Sequence, residues 1–486
     1  MNRRAFIASA SKTGAGFALG GVALLDCART PRTTPKPAAA TELDERAIRD
    51  LASGLHGTVV RPSDSEYDAV RRIWNARFDR RPALIARCAD AADVQRAIEF
   101  ARAERLTIAV RGGGHSFAGY SVCDGGLVID LSRMKAIRVD REARRVDAQP
   151  GVLSRDLAIA TEPAGFALVL GGCSDVGIAG FMLGGGEGSL NAKYGMACDN
   201  LISADVVLAD GRLVRASARE NADLFWGLRG GGGNFGVVTS FRIRAFPLTH
   251  MLAGALAYDL SQAAAVMRAY REFAPSAPDD LEAGFTFSGG PNGPVFRLGV
   301  QYAGDAASAE PVLTRLRDVA KPTGDTIAQV SYHSFKTRPG PPPGFPSIST
   351  GAFLRELSDD VIEAVVALGA TIPPGADLEL NHLHGAVSRV PLAETAFPLR
   401  QPGFDCFAAA AWLAREQRDT VVAWVKRLDD TLRPHARGAY VNALAEDDAG
   451  RVKDAYGSQY TRLAALKRKY DPENVFRLNP NVPPRR

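Results

Sequence analysis

The segment Arg111-Gly112-Gly113-Gly114-His115-Ser116 sets three consecutive glycines between a guanidinium and an imidazole. Glycine takes positive φ without a steric penalty, and backbone N–H groups freed in this way can close on an anion, as in a phosphate-cradling nest. Arg111 adds positive charge beside the nest. A tight connection between two strands would explain one or two glycines but would leave Arg111 and His115 without a task. Two further runs follow, Gly184-Gly185-Gly186-Glu187-Gly188 and Gly230-Gly231-Gly232-Gly233-Asn234-Phe235-Gly236, the first of them preceded by Gly171-Gly172-Cys173 and by Gly177 and Gly180. Glycine makes up 48 of 486 residues, above the usual share of about 7%. The three dense runs imply that several loops converge on one extended ligand that contains a diphosphate.

The flanking elements sharpen that reading. Asp90 is placed to cap a helix whose apolar residues Val94, Ala97, Ile98 and Ala101 fall on one face, ending near Glu104. A strand over 106–110 leads directly into the first glycine run, and a second strand follows over 127–131. Gly231, Gly233 and Gly236 satisfy the spacing GxGxxG, but a strand (Val237 to Ile243) follows them where a dinucleotide fold requires a helix, which excludes a Rossmann site. Residues 41–78 read as a helical lead-in, with Arg71 to Asn75 on its last helix. Beyond residue 248, strands such as Gly284 to Phe287 and Val295 to Val300 mix with helices such as Glu310 to Val319, which predicts an α+β unit. Pro339 to Gly344 reads as an exposed loop, either a site rim or a plain connection, and Arg451 to Tyr470 as one helix stopped by Asp471-Pro472.

Composition removes several functional classes. Lys and Arg number 59 against 54 Asp and Glu, and a net charge of +5 spread over this length argues against a nucleic-acid partner. The six cysteines form no CxxC pair and no zinc-ligand spacing, so no metal site is expected. Arg3-Arg4 followed by an Ala- and Gly-rich apolar stretch to Leu25 has the layout of a twin-arginine export signal, with a Pro-containing linker to Ala40. The expected location is periplasmic or secreted. Two maturation routes stay open: lipidation at Cys27, which would tether the protein to a membrane, and cleavage at the small residues Ala38 to Ala40.

Taken together, Arg111 to Ser116, Gly172-Cys173, Tyr194-Gly195, Asp199-Asn200, Asp223 to Gly230 and Tyr470 to Phe476 resemble the berberine bridge enzyme-like oxidoreductases, of the vanillyl-alcohol-oxidase type of FAD-binding fold. The resemblance implies an α+β architecture: a PCMH-type FAD-binding domain over 79–248, an inserted α+β substrate domain over 249–430, and a C-terminal segment, 431–486, that returns to the FAD domain. It implies FAD as cofactor, attached through His115 to the 8α-methyl carbon and through Cys173 to carbon 6. A neutral imidazole and a thiolate are the nucleophiles such links need. The remaining cofactor contacts it assigns are Arg111, Gly112, Gly113, Gly114, Ser116, Gly177, Gly180, Val238, Asn442 and Asn479.

On the substrate side, alcohol-oxidising relatives use a tyrosine directly after an asparagine as base, and here Asn442 is followed by Ala443. Replacement bases are sought on Leu378 to Val387, where alternation puts His382 and His384 on one face with Leu380. His382 is the first choice, being suited to proton transfer at neutral pH; Tyr194 and Tyr440 are the others. Glu187 is read as ending a helix or meeting backbone amides. The expected activity is hydride removal from an alcohol-bearing carbohydrate or secondary metabolite, with O2 as acceptor. Oxidative cyclisation or desaturation, and a non-catalytic flavin-fold binding protein, are the alternatives.

Overall fold

The computed structural model describes residues 43–412 and 414–484. The Arg3-Arg4 export signal, Cys27, the linker and the Ala38 to Ala40 cleavage site lie outside the described residues.

Strands β1 (Thr58–Val60), β2 (Leu84–Arg87), β3 (Ile108–Arg111) and β4 (Leu127–Asp130) form a sheet in the order β1-β2-β4-β3, with β2 and β3 both parallel to β4. Parallel neighbours need a crossover, and the helix Ala91–Ala103 supplies it. Asp90 caps that helix by accepting from Asp93 N, and Val94, Ala97, Ile98 and Ala101 pack on Leu84, Ile108, Leu127 and Ile129. Because β4 is paired on both edges and covered, all four of its residues are buried, Asp130 included. The lead-in is less helical than its sequence suggests. After the helix Glu45–Gly54, the β-branched run Thr58-Val59-Val60 pairs antiparallel with β2, and the helix Tyr67–Val70 stops before Arg71. Arg71 is buried, donating to Asp68 and to the carbonyl of Arg80, so the chain turns to follow those partners.

An antiparallel sheet comes next in the order β5-β6-β10-β8-β9, from β5 (Ile137–Asp140), β6 (Arg145–Ala148), β8 (Leu201–Leu208), β9 (Leu213–Ser217) and β10 (Gly236–Arg244). A two-residue pairing joins β7 (Phe166–Ala167) to β11 (Phe246–Pro247). The core beneath this sheet joins Val206, Trp226, Phe235 and Phe241 to Val441, Tyr456, Leu463 and Val482 from the end of the chain. That last segment is not one helix: it breaks at Gly457, whose φ of +49° no right-handed helix accepts, and resumes as Tyr460–Tyr470. It is locked by Lys467, whose Nζ reaches Asp471 and the carbonyls of Asn234 and Phe476, all out of contact with solvent.

The third and largest sheet is antiparallel throughout. It runs β15 (Gly324–Asp325), β12 (His250–Tyr258), β14 (Gly293–Tyr302), β13 (Leu281–Gly290), β18 (Ala376–Leu383), β19 (Gly403–Ala411), β17 (Ser347–Leu354), with β16 (Ala328–Ser331) also on β12. Helices Ala263–Phe273, Asp359–Ala370 and Arg418–Leu432 cover one face, where Phe285, Phe287, Phe296, Leu298, Leu378, Leu380 and Trp424 form the core. The helix after Tyr302 begins at Ala306, earlier than the apolar pattern suggests, because Asp305 caps it by accepting from Ser308 N. Strand alternation sends the residues between those core positions, among them Glu282, Thr286, Glu379, Asn381, Asp405 and Phe407, to the opposite face.

Candidate active site

Three glycine-bearing loops converge, and the first two touch. A Cβ on Gly113 would lie 2.5 Å from Gly177 N, and one on Gly177 would lie 2.4 Å from Gly113 N. Only two glycines allow the backbones this approach. Around Gly172, Gly180 and Gly233, by contrast, a Cβ would meet nothing within 4 Å, so these positions border open space. Asn479 spans from the C-terminal segment to the third run, donating to the carbonyls of Gly233 and Phe476, while no donor among the described residues reaches its buried Oδ1. Gly112 packs under Pro150 and Ala179, and Gly114 turns the chain at φ +71°. Ser116 Oγ accepts from Tyr120 N, and Val238 is buried in β10.

Arg111 does not supply charge to this space. Its guanidinium is buried against Asp130 at 2.8 Å and donates to the carbonyls of Val70 and Arg72. An ion pair with a buried carboxylate satisfies it, so Arg111 holds the base of the loop and is not the anion ligand its sequence position suggests.

His115 stacks on Trp74, ring centroids 4.2 Å apart, and its buried Nε2 has no hydrogen-bond partner among the described residues. Burial pulls its pKa down to about 4, so the imidazole is neutral at physiological pH. A buried imidazole nitrogen without a partner is costly unless a bound group meets it. Cys173 is half-buried beside Gly340, where a Cβ would lie 3.3 Å from Sγ. Burial pushes its pKa up, Glu379 adds to that, and Lys336 opposes it. The loop that carries Gly340 also accepts from Trp74 Nε1 through Pro341 O, which brings the proline-rich rim onto the His115 side. The orphaned imidazole, the nearby thiol and the bare glycine-lined space fit an FAD.

The second glycine run meets Tyr440 and Asn442. Asn442 lies on Gly184, where a Cβ would fall 2.1 Å from its Oδ1, and donates to Phe181 O and to the Tyr440 hydroxyl. That hydroxyl also accepts from Gly186 N at 3.0 Å and Glu187 N at 3.1 Å. Three donors on one phenol oxygen, together with burial that pushes its pKa up, make Tyr440 a clamp for the loop and leave it no free lone pair for a base. Ala443 packs against Gly351. Tyr194 stacks flat on Phe246 at 3.6 Å and so packs at the β7–β11 edge instead of joining these groups.

His382 points the wrong way for a base. It shares the helix-covered face of β18 with Leu378 and Leu380, stacks on His384 and Phe404, and its Nδ1 pairs with the Tyr270 hydroxyl at 3.1 Å. Burial brings its pKa down to about 3. His384 Nε2 is taken by Leu281 O.

The opposite face of the same strands carries the polar and acidic side chains. Glu379 and Asn381 of β18 sit beside Phe407 and Asp405 of β19 in register, and Glu282 of β13 accepts from Ala192 N. Gln301 of β14 bonds Ser189, so this face is docked on the segment that follows the second glycine run. Glu187 and Asp405 are both buried, and the negative charge of Asp405 bears on Glu187. Burial raises all four acids: Glu379 to about 7, Glu282 to about 8, Asp405 also, and Glu187 well above its usual range with further push from Asp405. Lys336 is the buried cation among them, its pKa brought down to about 7 by burial; it donates to the carbonyls of Leu170 and Gly171 and to Ser189 Oγ. The same alternation that places His382 with leucines puts Glu379 and Asn381 on the other face, but it does not say which of the two faces meets the glycine loops. Trp74, Asp405 and Lys336 carry no comparable local signal.

Residues 82–217 match the FAD binding domain family, and residues 439–483 match the berberine and berberine-like family. The chain is 32% identical over 453 residues to the (R)-6-hydroxynicotine oxidase of Paenarthrobacter nicotinovorans, an alignment covering 88% of this chain and 97% of that one. Among solved structures, wild-type BBE-like 1 of Physcomitrella patens superposes with a TM-score of 0.83 at 26% identity, covering 90% of this chain and 99% of that one. A chitooligosaccharide oxidase gives 0.82 at 25% identity, covering 90% and 100%. With relatives aligned over nearly their whole length and the glycine-lined site in place, the chain belongs to the berberine bridge enzyme-like family of FAD-linked oxidoreductases.

Proposed function

We propose that the protein removes hydride from a carbon bearing a hydroxyl group in a small organic molecule, a carbohydrate or a secondary metabolite, with FAD linked through His115 and Cys173 and O2 as the final acceptor, after twin-arginine export. The observation that carries this reading is His115, a neutral imidazole stacked on Trp74 with its buried Nε2 unpartnered, close to loops that leave bare space. FAD supplies the two-electron acceptor. Trp74 fixes the plane of His115, and the Pro341 and Gly340 segment shields Cys173 from solvent on one side. Tyr440 and Asn442 hold the second glycine run in place, while Glu187, Glu379, Asn381 and Asp405 line the polar face on which a hydroxylated substrate is oriented. Covalent attachment also suits export, because a linked cofactor is not lost where none replaces it.

An amine is the second reading. Four buried carboxyl groups share this face with a single buried lysine, and a cationic substrate would relieve that excess. The 32% identity to a 6-hydroxynicotine oxidase points the same way.

Acid precipitation tests the cofactor: yellow colour and FAD mass stay with the polypeptide if the links exist, and a colourless pellet refutes them. Anaerobic addition of sugars, alcohols and amines, followed by flavin bleaching, identifies the substrate class. Peroxide formed when air is readmitted establishes O2 as acceptor.

A further inference from the structure

We propose that Lys336 is the positioning residue for Cys173: it ties the chain leading into that cysteine to a neighbouring helix and brings a positive charge to its loop, so that the sulfur is ready to attach the flavin. The proposal rests on the reading of Cys173 as the second attachment point and deepens it. Helix Tyr332–Lys336 lies along the segment 166–171, which runs into Cys173. The Tyr332 hydroxyl donates to Leu168 O, His333 Nε2 donates to Phe166 O at 3.2 Å, and Lys336 Nζ donates to Leu170 O at 2.8 Å and Gly171 O at 3.1 Å. Phe166, Leu168 and Leu170 are every second residue, so one short helix takes successive carbonyls on one side of the chain. The loop after the helix closes on the cysteine itself: a Cβ on Gly340 would lie 3.3 Å from Cys173 Sγ. One residue further, Pro341 O accepts from Trp74 Nε1 at 3.2 Å, and Trp74 carries the stacked His115 ring. The stretch 332–341 thereby sets the two attachment residues relative to each other.

Lys336 is 4% exposed, and a buried ammonium is costly unless its N–H groups are met. Its three N–H groups have three acceptors, the two carbonyls and Ser189 Oγ, whose own proton goes to Gln301 Oε1. An amine has one N–H too few for that set, so the ammonium is the form these bonds hold. A neutral donor would also meet the carbonyls; what a lysine adds is charge. The charged groups that face Cys173 are Glu379 and Asp377 of β18 and Lys336, while Asp175 in the same loop is paired with Arg155. Burial and the two acids oppose the thiolate, and Lys336 favours it. Glu282 in turn faces Lys336 and supports its charge.

The thiolate is the nucleophile of such a link. Ionisation breaks the S–H bond, leaves its electron pair on sulfur and passes the proton to solvent, which the half-buried Cys173 reaches. In the attachment that follows, the sulfur pair forms the C–S bond at flavin carbon 6 and the hydrogen there leaves as a proton. The two electrons gained by the flavin go with two protons to O2, giving peroxide.

The test uses the full chain prepared without flavin, as the parent and as K336Q and K336M. Gln keeps N–H groups for the carbonyls and loses the charge; Met loses both. Alkylation of Cys173 by iodoacetamide, read on its own peptide by mass spectrometry across pH, is expected to have its midpoint about one pH unit higher in K336Q than in the parent. When FAD is added in air at pH 7, it should appear on the Cys173 peptide about tenfold more slowly in K336Q, with the His115 peptide labelled at the parent rate. K336M should show both effects and faster amide hydrogen exchange over 168–173. A K336Q alkylation midpoint equal to the parent's overturns the proposal, as does labelling of Cys173 at the parent rate or an equal slowing at His115 and Cys173. If FAD stays off Cys173 in the parent too, the reading of a second attachment point falls, and the alkylation midpoint still decides whether Lys336 governs the thiol.

Discussion

Gly113 and Gly177 meet backbone to backbone, each leaving no room for the other to carry a Cβ. The contact ties the His115 loop to the Cys173 loop, and neither partner can yield because both obstacles are main chain. Gly177→Ala is therefore expected to cost about 1–3 kcal/mol in folding stability and to lower the flavin content of purified protein. Gly180→Ala makes the contrast: its Cβ meets no protein atom within 4 Å, and it sits in the helix Ile178–Leu183. Stability by denaturant titration should hold or rise by about 0.5–1 kcal/mol, while the ratio of flavin to protein absorbance falls if this open space is where the cofactor lies.

His115→Ala and Cys173→Ala separate the two proposed links. Each single variant should keep colour in an acid-precipitated pellet through the other residue, and the double variant should release all its FAD to the supernatant. Trp74→Ala removes the ring stacked on His115 and is expected to reduce the fraction of flavin bound covalently, read by mass spectrometry of the intact chain. Full release from Cys173→Ala alone would show that His115 is not linked.

The glycine runs are legible in the sequence because what they do depends on short-range properties, positive φ and the absence of a Cβ, whereas His115 and Cys173 are singled out by the resemblance of the motifs around them. The helix from Asp90 and the strands around residues 108, 127 and 237 are legible for the same reason, since period and capping are local. What is hidden depends on partners far along the chain. Arg111 looks like a phosphate ligand until Asp130 is found against it. Glu187 looks like part of a glycine turn until its burial, with the negative charge of Asp405 bearing on it, is found. The choice of face on β18 turns on which side the helices cover, and alternation alone leaves that sign undetermined; hence His382 is expected in the site and Glu379 occupies it.

Lys467 and Asp471 are a fully buried ion pair that fastens the C-terminal segment to the third glycine run. Asp471 also accepts from Val475 N and Phe476 N. Asp471→Ala leaves a buried ammonium and two amides without their acceptor, and a loss of about 3–5 kcal/mol is expected. Lys467→Met breaks the pair from the other side. Asn479, which reaches Gly233 from the same segment, links this lock to the cofactor space, so flavin retention should fall along with the melting temperature. Unchanged flavin content at a lowered melting temperature would show that the segment serves stability alone.

His382 yields a prediction whose sign differs from that of a catalytic base. Its pKa falls from 6.5 to about 3 on folding because burial disfavours the imidazolium, with His384 adding to the effect. The unfolded chain takes up a proton below about 6.5 and the folded one does not, so this site costs stability as pH falls through that window, by up to about 1.4 kcal/mol per pH unit. His382→Gln keeps a partner for the Tyr270 hydroxyl and cannot titrate. The variant should be less stable than the parent at pH near 8, where repacking against Phe404 is the main change, and the gap should close and then reverse as pH drops toward 5. Urea unfolding of both proteins at several pH values measures this directly, and the opposing slopes of Glu282 and Glu379 cancel in the difference. The same variant should reduce its flavin at the parent rate, because the imidazole faces the helices; a large loss with flavin content intact would place His382 in the proton path after all.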